Sequence, residues 1–314
     1  MDIRNQLKRQ PKDSVDMKKE QPNIGTGVWS HNRGMRNFKS HALHFVALGS
    51  TVAICLVLLY LGWSMFEKGY DNLSFEFLNN FSSRSAARSG IKAGIYGSFY
   101  LAGLTAFFAI PLGIGTAVFL EEYMPENRTK KIIDINIANL AGIPSIIYGM
   151  LGMALFVRTL GFGGSILSGA LTMSLLILPV IVVASREALK NVPASIRHAA
   201  YALGAERWQT IRAHVLPAAS PGIMTGIILA MARALGETAP LILVGAVTYI
   251  AFVPAGPMDS FTVMPLQIYN WTSRPQEAFQ SIAASGIIVL MGLILVSNAL
   301  AVFIRYRGEK LKKW

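Results

Sequence analysis

Arg233 and Glu237 stand four residues apart in Ala218 to Ile250, a run that carries no other charge. On a helix such a pair projects from one face. A charge within a segment of that apolarity costs roughly 2.5–3.5 kcal/mol on insertion scales. The pair is therefore expected to face a protein interior or a water-filled path, not lipid. A guanidinium presents a planar fork that binds oxyanions bidentately. A carboxylate nearby partners that fork when no anion is present. It also repels an anion that lingers, and a site on a path must release as well as bind. The plainer alternative is that the two charges neutralise each other and pin one helix to a neighbour. Arg before Glu is the weaker order for an isolated helix, which argues against a pair kept only for helix stability. Gly236 and Pro240 flank the Glu, so loosened backbone hydrogen bonding or a hinge is expected there.

Other chemistries find little support. A membrane enzyme needs clustered His, Asp, Glu or Cys, and the apolar runs hold only Asp134, Arg233 and Glu237. His198 and His214 lie sixteen residues apart with no third ligand near, so no metal site is expected. The lone Cys55 excludes an intrachain disulfide.

The elements that must position the pair follow from composition. The chain of 314 residues is 53% hydrophobic and only 15% charged, against about 25% charged in soluble domains. The deficit gathers in long uncharged runs, which reads as several membrane spans. Six are expected: His44–Phe66, Gly94–Leu120 with Pro111 inside, Ile132–Val157, Gly164–Ser185, Ala218–Ile250 and Ile282–Ile304. The fold class is thus all-α, a polytopic membrane protein with six transmembrane helices. Residues 1–43 are polar and basic without hydrophobic period, a tail expected to lack structure. Residues 305–314 form a second basic tail. The doublet Glu121 and Glu122 reads as a solvated charged face. Asn136 and Asn139 are expected to bond between helices. The loop Ala251–Ser281 is rich in proline.

The net charge is +12, and its placement speaks for membrane orientation rather than nucleic acid. With six spans, 22 of the 29 Lys and Arg fall in the tails and in the two loops on the tails' side, and six on the other. The positive-inside rule then puts both termini in the cytoplasm.

The loop between spans four and five, Arg186–Pro217, is the longest cytoplasmic one. Pro193 suits a first helical turn and Gly204 a stop. Between them Ile196, Ala199, Ala200 and Leu203 share one narrow face. Trp208, Ile211 and Val215 repeat the spacing up to Pro217. Two short amphipathic helices with a joint at Gly204 are expected, either lying in the lipid interface or docking on a soluble partner.

That loop, HAAYALGAERWQTIRAHVLP, resembles the EAA loop of binding-protein-dependent ABC permeases. Ala199, Ala200, Gly204, Leu216 and Pro217 match the family pattern. His198 stands where the family has Glu, and His214 where it has an aliphatic residue. Further blocks, IPLGIGTAVFLEEY, NLAGIPSIIYGMLGMALFV, ARALGETAPLILVGA and MPLQIYNWTSRP, resemble the PstA-type permease of phosphate ABC transporters, from about Phe75 to Ile304.

The resemblance implies a type I ABC importer permease fold in the bacterial cytoplasmic (inner) membrane. It implies one half of a phosphate path, with Arg233 and Glu237 as path residues. His198, Ala199, Ala200, Gly204, Leu216 and Pro217 would form the ATPase coupling loop. The implied partners are a second, PstC-like permease, two PstB-like ATPase subunits and a PstS-like external phosphate-binding protein. No G-x-x-x-x-G-K-[ST] is present, so ATP and Mg belong to the ATPase and this chain needs no cofactor. The rival reading is the same fold serving sulfate, molybdate or phosphonate. An ion channel is a more distant one, since it needs a selectivity ring from symmetric copies.

Overall fold

The computed structural model describes residues 33–310, so the tails before Arg33 and after Lys310 lie outside it. Two units are distinguished, residues 1–61 and 62–314. The first unit contributes most of α1 (Arg33–Gly69), an apolar helix whose side chains from His41 to Leu61 are exposed. Helix begins at Arg33, inside the stretch expected to be unstructured up to residue 43.

The second unit is built around α6 (Ile166–Lys190), the most deeply buried helix. It runs parallel to α3 (Lys92–Val118). Ser174 Oγ donates to the Thr105 carbonyl at 3.2 Å, and further along both helices Gly113 lies against Ile181. In lipid no hydrophobic force drives one apolar helix onto another, so close packing and such hydrogen bonds hold the pair. α9 (Leu216–Gly236) packs on α6 in the opposite sense. Gly222 meets Ala188 and Gly226 meets Ala184, each where a methyl on the glycine would collide.

Two of the expected spans are broken. The third is α4 (Arg128–Ala141) and α5 (Ser145–Gly152), which continues as a π-helical turn, Met153–Thr159. They bend by 99°. Pro144 lacks the N–H that would continue α4 and pushes its predecessor out of the helical region. Tyr148 Oη spans the bend and donates to the Leu140 carbonyl at 2.9 Å. This pair is one crossing, not a re-entrant hairpin. Its start is tied to the C-terminal end of α6 by the Asp134–Arg186 ion pair. Its exit, Gly163, bonds the N-terminal end of α6 through Ser168. Those ends are about 37 Å apart at 1.5 Å per residue.

The fifth span differs most from expectation. Pro217 does not end a helix: α8 (Arg207–Thr210) passes through a π-helical turn, Ile211–Val215, straight into α9. The helix stops at Gly236 rather than running to Ile250. Glu237 is extended, with φ −78 and ψ 134. A short α10 (Ala239–Val244) then starts with Pro240 in its first turn and ends on Gly245.

The remaining segments close the end of the bundle at the start of α6. Val247 N–H donates to the Phe261 carbonyl at 2.8 Å, and Asp259 accepts from the amides of Ala255 and Gly256 at 2.8 Å. α11 (Met264–Thr272) lies within the stretch read as loop. Its Gln267 is wholly buried and donates to the Gly90 carbonyl at 2.7 Å. α12 (Glu277–Lys310) completes the bundle, starting before Ile282 and running past Ile304.

Candidate functional site

The register of α6 and α9 fixes the depth of Arg233. With Gly226 opposite Ala184 and the helices antiparallel, Arg233 comes level with Ile177. Ile177 is near the midpoint of α6. The expected mid-bundle position is therefore where the chain puts it, in the last turn of α9 beside the break.

The break keeps the pair together without a helix between them. Arg233 Nε lies 3.6 Å from Glu237 Oε1, an ion pair with no hydrogen bond recorded. The Arg233 side chain is 45% exposed and that of Glu237 20%. Glu237 lines a narrow cleft with Ser98, Thr105, Met173 and Leu241. About 10 Å³ of that cleft admits a water-sized sphere, room for about one water. The cleft cannot hold a larger anion. Arg233, nearly half exposed, is not among the residues that line it.

The second broken span backs this break. A Cβ added at Gly149 on α5 would come within 2.7 Å of the Pro240 Cα, so only glycine lets the two interrupted helices touch there. Tyr148, next to it, lies within reach of the Arg233 charge. Tyr148 and Gly149 were not singled out in the sequence. The signal available was Gly142, Pro144 and Gly149 around one turn.

Of the two short helices expected in the loop, the first is present and the second is the start of the continuous α8–α9 helix. α7 (Ala194–Ala202) follows Pro193 and ends in Gly204 at φ +82, a conformation that L side chains rarely adopt. The narrow apolar face is covered in part: Ile196 packs half-buried against the core and Ala200 is buried, while Ala199 is exposed and Leu203 89% exposed. His198 and His214 are exposed, and Leu216 and Pro217 are half-buried inside the continuous α8–α9 helix. No group of three metal-ligating side chains occurs among the described residues.

Beside this loop sits a charge cluster that sequence reasoning misjudged. Glu121 and Glu122 do not form a solvated face. They occupy a π-helical turn, Phe119–Tyr123, at the end of α3. Glu122 is 6% exposed and accepts both Nε and Nη2 of Arg197 from α7. Arg197 also donates to the carbonyls of Val192 (2.8 Å) and Leu189 (3.1 Å). Hydrogen bonding to Glu122 raises the Arg197 pKa above its ordinary value, against the opposing effect of burial.

Arg186 on α6 grips Asp134 of α4 with both Nη atoms, at 2.5 and 2.9 Å. Glu121 Oε2 lies 3.6 Å from Arg186 Nε and 4.0 Å from Lys130 Nζ. Asp134 is thus a structural partner. Asn136 bonds its own helix, at the Ile132 carbonyl, rather than a neighbour.

The profile of the family described as binding-protein-dependent transport system inner membrane component matches residues 109–307. The chain is 35% identical over 272 residues to the probable ABC transporter permease protein YqgI of Bacillus subtilis, covering 83% of this chain and 92% of that one. It is 36% identical over 271 residues to the phosphate transport system permease protein PstA 1 of Mycobacterium tuberculosis, covering 83% and 87%. Among solved structures, a bacterial ABC transporter that imports the acidic polysaccharide alginate shares the fold. The TM-score is 0.63 at 18% identity, over 88% of this chain and 99% of that one. The MetNI methionine ABC transporter is similar at a TM-score of 0.57 and 18% identity, over 69% and 96%.

Proposed function

The chain belongs to the binding-protein-dependent transport system inner membrane components, and from that premise we propose that it is the PstA-type permease subunit of an ATP-driven importer of inorganic phosphate. It is a multi-pass membrane protein of the inner membrane and not itself an enzyme. Hydrolysis belongs to two ATPase subunits that bind ATP and Mg. A second, homologous permease supplies the other half of the path, and an external binding protein delivers the anion. Both termini lie in the cytoplasm on this reading, which the excess of Lys and Arg in the tails and the loops on their side supports.

The observation that carries the path role is the half-exposed Arg233 at mid-depth. A guanidinium facing hydrocarbon there is costly, so its face is covered by a second subunit or by water. This chain's own cleft is too small for phosphate. The path therefore runs along the outer face, between this chain and the second permease. Phosphate carries one to two negative charges and needs donors to replace its water. Arg233 offers two parallel N–H groups. Glu237, held at 3.6 Å, partners the Arg between anions and discourages long residence.

The loop 186–217 is the coupling element. Its exposed residues, His198, Ala199, Leu203 and Gly204, meet the ATPase, while Ala200 lies buried beneath them. Leu216 and Pro217 carry its movement into α9, because α8 and α9 are one helix. The same helix ends at Arg233 and Glu237.

Arg233→Gln should leave the four-component complex assembled and lower uptake of radiolabelled phosphate about a hundredfold, the scale on which losing a donor in a water-excluded site acts. Uptake near the wild-type rate would remove the path role. Sulfate, molybdate and phosphonate should compete poorly with phosphate in the same assay.

A further inference from the structure

We infer that Arg197 is the positioning residue that ties the coupling helix to the bundle, so that movement of α7 reaches α3 through Glu122. The inference rests on the coupling role proposed above for loop 186–217.

Apart from Arg197, α7 is held by Ile196, which packs against the main core, and by its packing on α8 and the turn that follows it. Its tip residues Tyr201, Ala202 and Leu203 are exposed, and Ala200 is its one buried residue. Gly204 follows at positive φ, with open space around its Cα. There the Gly204 amide donates to the Tyr201 carbonyl at 2.9 Å and the Ala205 amide to that of Ala200 at 3.1 Å, a capped turn that leads into α8. On the other side Arg197 joins three separate places. It forks onto Glu122 of α3 and bonds the carbonyls of Leu189, at the end of α6, and of Val192 in the connection. The planar guanidinium fixes direction as well as distance, which a point charge does not.

The receiving end is built to respond. Glu121 and Glu122 are consecutive, yet the widened π-helical turn directs both into the protein. Such turns recur at functional positions in helices. Glu122 is fully engaged by Arg197, whereas Glu121 is not. Its buried Oε2 lies between Arg186 and Lys130 and is hydrogen-bonded by neither, and Arg186 Nε is likewise unsatisfied. A carboxylate suspended between two cations can close on either. A shift of Glu122 by Arg197 moves its neighbour relative to both. Arg186 holds α4 through Asp134, so the displacement spreads to α3, α6 and α4. The cluster thus links α7 to three helices of the bundle through contiguous ion pairs.

The test removes both charges, so that no lone buried ion is left to unfold the chain. Glu122→Gln with Arg197→Met is assembled with its partner permease, the ATPase subunits and the binding protein in liposomes. ATP hydrolysis and radiolabelled phosphate uptake are read together. The expected result is an assembled complex whose hydrolysis stays within about twofold of wild type while uptake falls on the order of tenfold, mid-range for a coupling between sites. Arg197→Lys, which keeps charge but not the fork, should recover part of the uptake. Normal uptake in the double variant overturns the inference. So does an equal fall in hydrolysis and uptake, which marks a docking residue instead.

Spin labels at Ser195 and Phe119, with Cys55→Ser, judge the tether apart from the substrate. The distance distribution should be narrow with Arg197 and Glu122 intact and broad in the double variant. Equal widths overturn the tether. If the wild-type complex hydrolyses ATP but moves no phosphate, the functional reading fails while these distances still decide the tether.

Discussion

Two groups of charge lie in the low-dielectric parts of this bundle, and they are treated in opposite ways. At mid-depth, Arg233 and Glu237 share one contact of 3.6 Å across a helix break, and Arg233 remains nearly half exposed. At the end of the bundle beside the 186–217 loop, Arg186 and Arg197 each grip a carboxylate with several N–H groups and lie largely buried. A guanidinium whose donors are already used cannot serve a passing anion. One held loosely can. The same residue type is thus structural in one place and available in the other, and the number of hydrogen bonds it makes separates the two roles.

Mutation should separate them too, with stability and transport responding in opposite order. Arg186→Ala leaves Asp134 without its bidentate partner and Glu121 beside Lys130 alone. Breaking a buried pair on one side costs about 3–5 kcal/mol, so thermal unfolding of the purified chain should shift down strongly. Arg233→Gln, by contrast, should cost at most about 1 kcal/mol, as for exposed pairs, while carrying the largest loss of uptake. Equal destabilisation by the two variants would erase the distinction.

Gly204→Val tests the joint beside the buried group. A β-branched residue at φ +82 costs about 1–3 kcal/mol locally. The α7–α8 angle should change, and hydrolysis should persist with reduced transport. Normal transport would leave the loop as an interfacial anchor only.

The smallest effect belongs to Asp259, outside both groups. The amides of Gly256 and Ala255 hold its pKa below the ordinary carboxylate value. A depressed pKa means that the ionised form supports the loop. That support is present at neutral pH and is lost as pH falls through the lowered value. Hydrogen exchange at the Ala255 and Gly256 amides should quicken in Asp259→Asn at neutral pH and little else should change.

Much of the bundle was legible because lipid imposes its own grammar. Uncharged runs long enough to span hydrocarbon mark helices whatever packs beside them. Arg233 and Glu237 stood out for the same reason, as charges where apolarity is the rule. The breaks were only half legible: Gly236 and Pro240 signalled a weak point, but a helix end there depends on Pro240 meeting Gly149. The cluster beside the 186–217 loop was misread because Glu-Glu beside a turn looks like solvated surface in any chain. Its burial arises from Arg197, 75 residues away in the chain.

The sequence by itself determined that this is a six-span helical permease with a two-helix loop and a mid-membrane Arg–Glu pair. Apolar length, glycine and proline placement and charge asymmetry act locally and can be counted. Tertiary structure alone decided where the third and fifth spans break, that α8 runs unbroken into α9, and which charges are spent. Those outcomes turn on close approaches between residues far apart in the chain. Spacing along the chain carries no record of them.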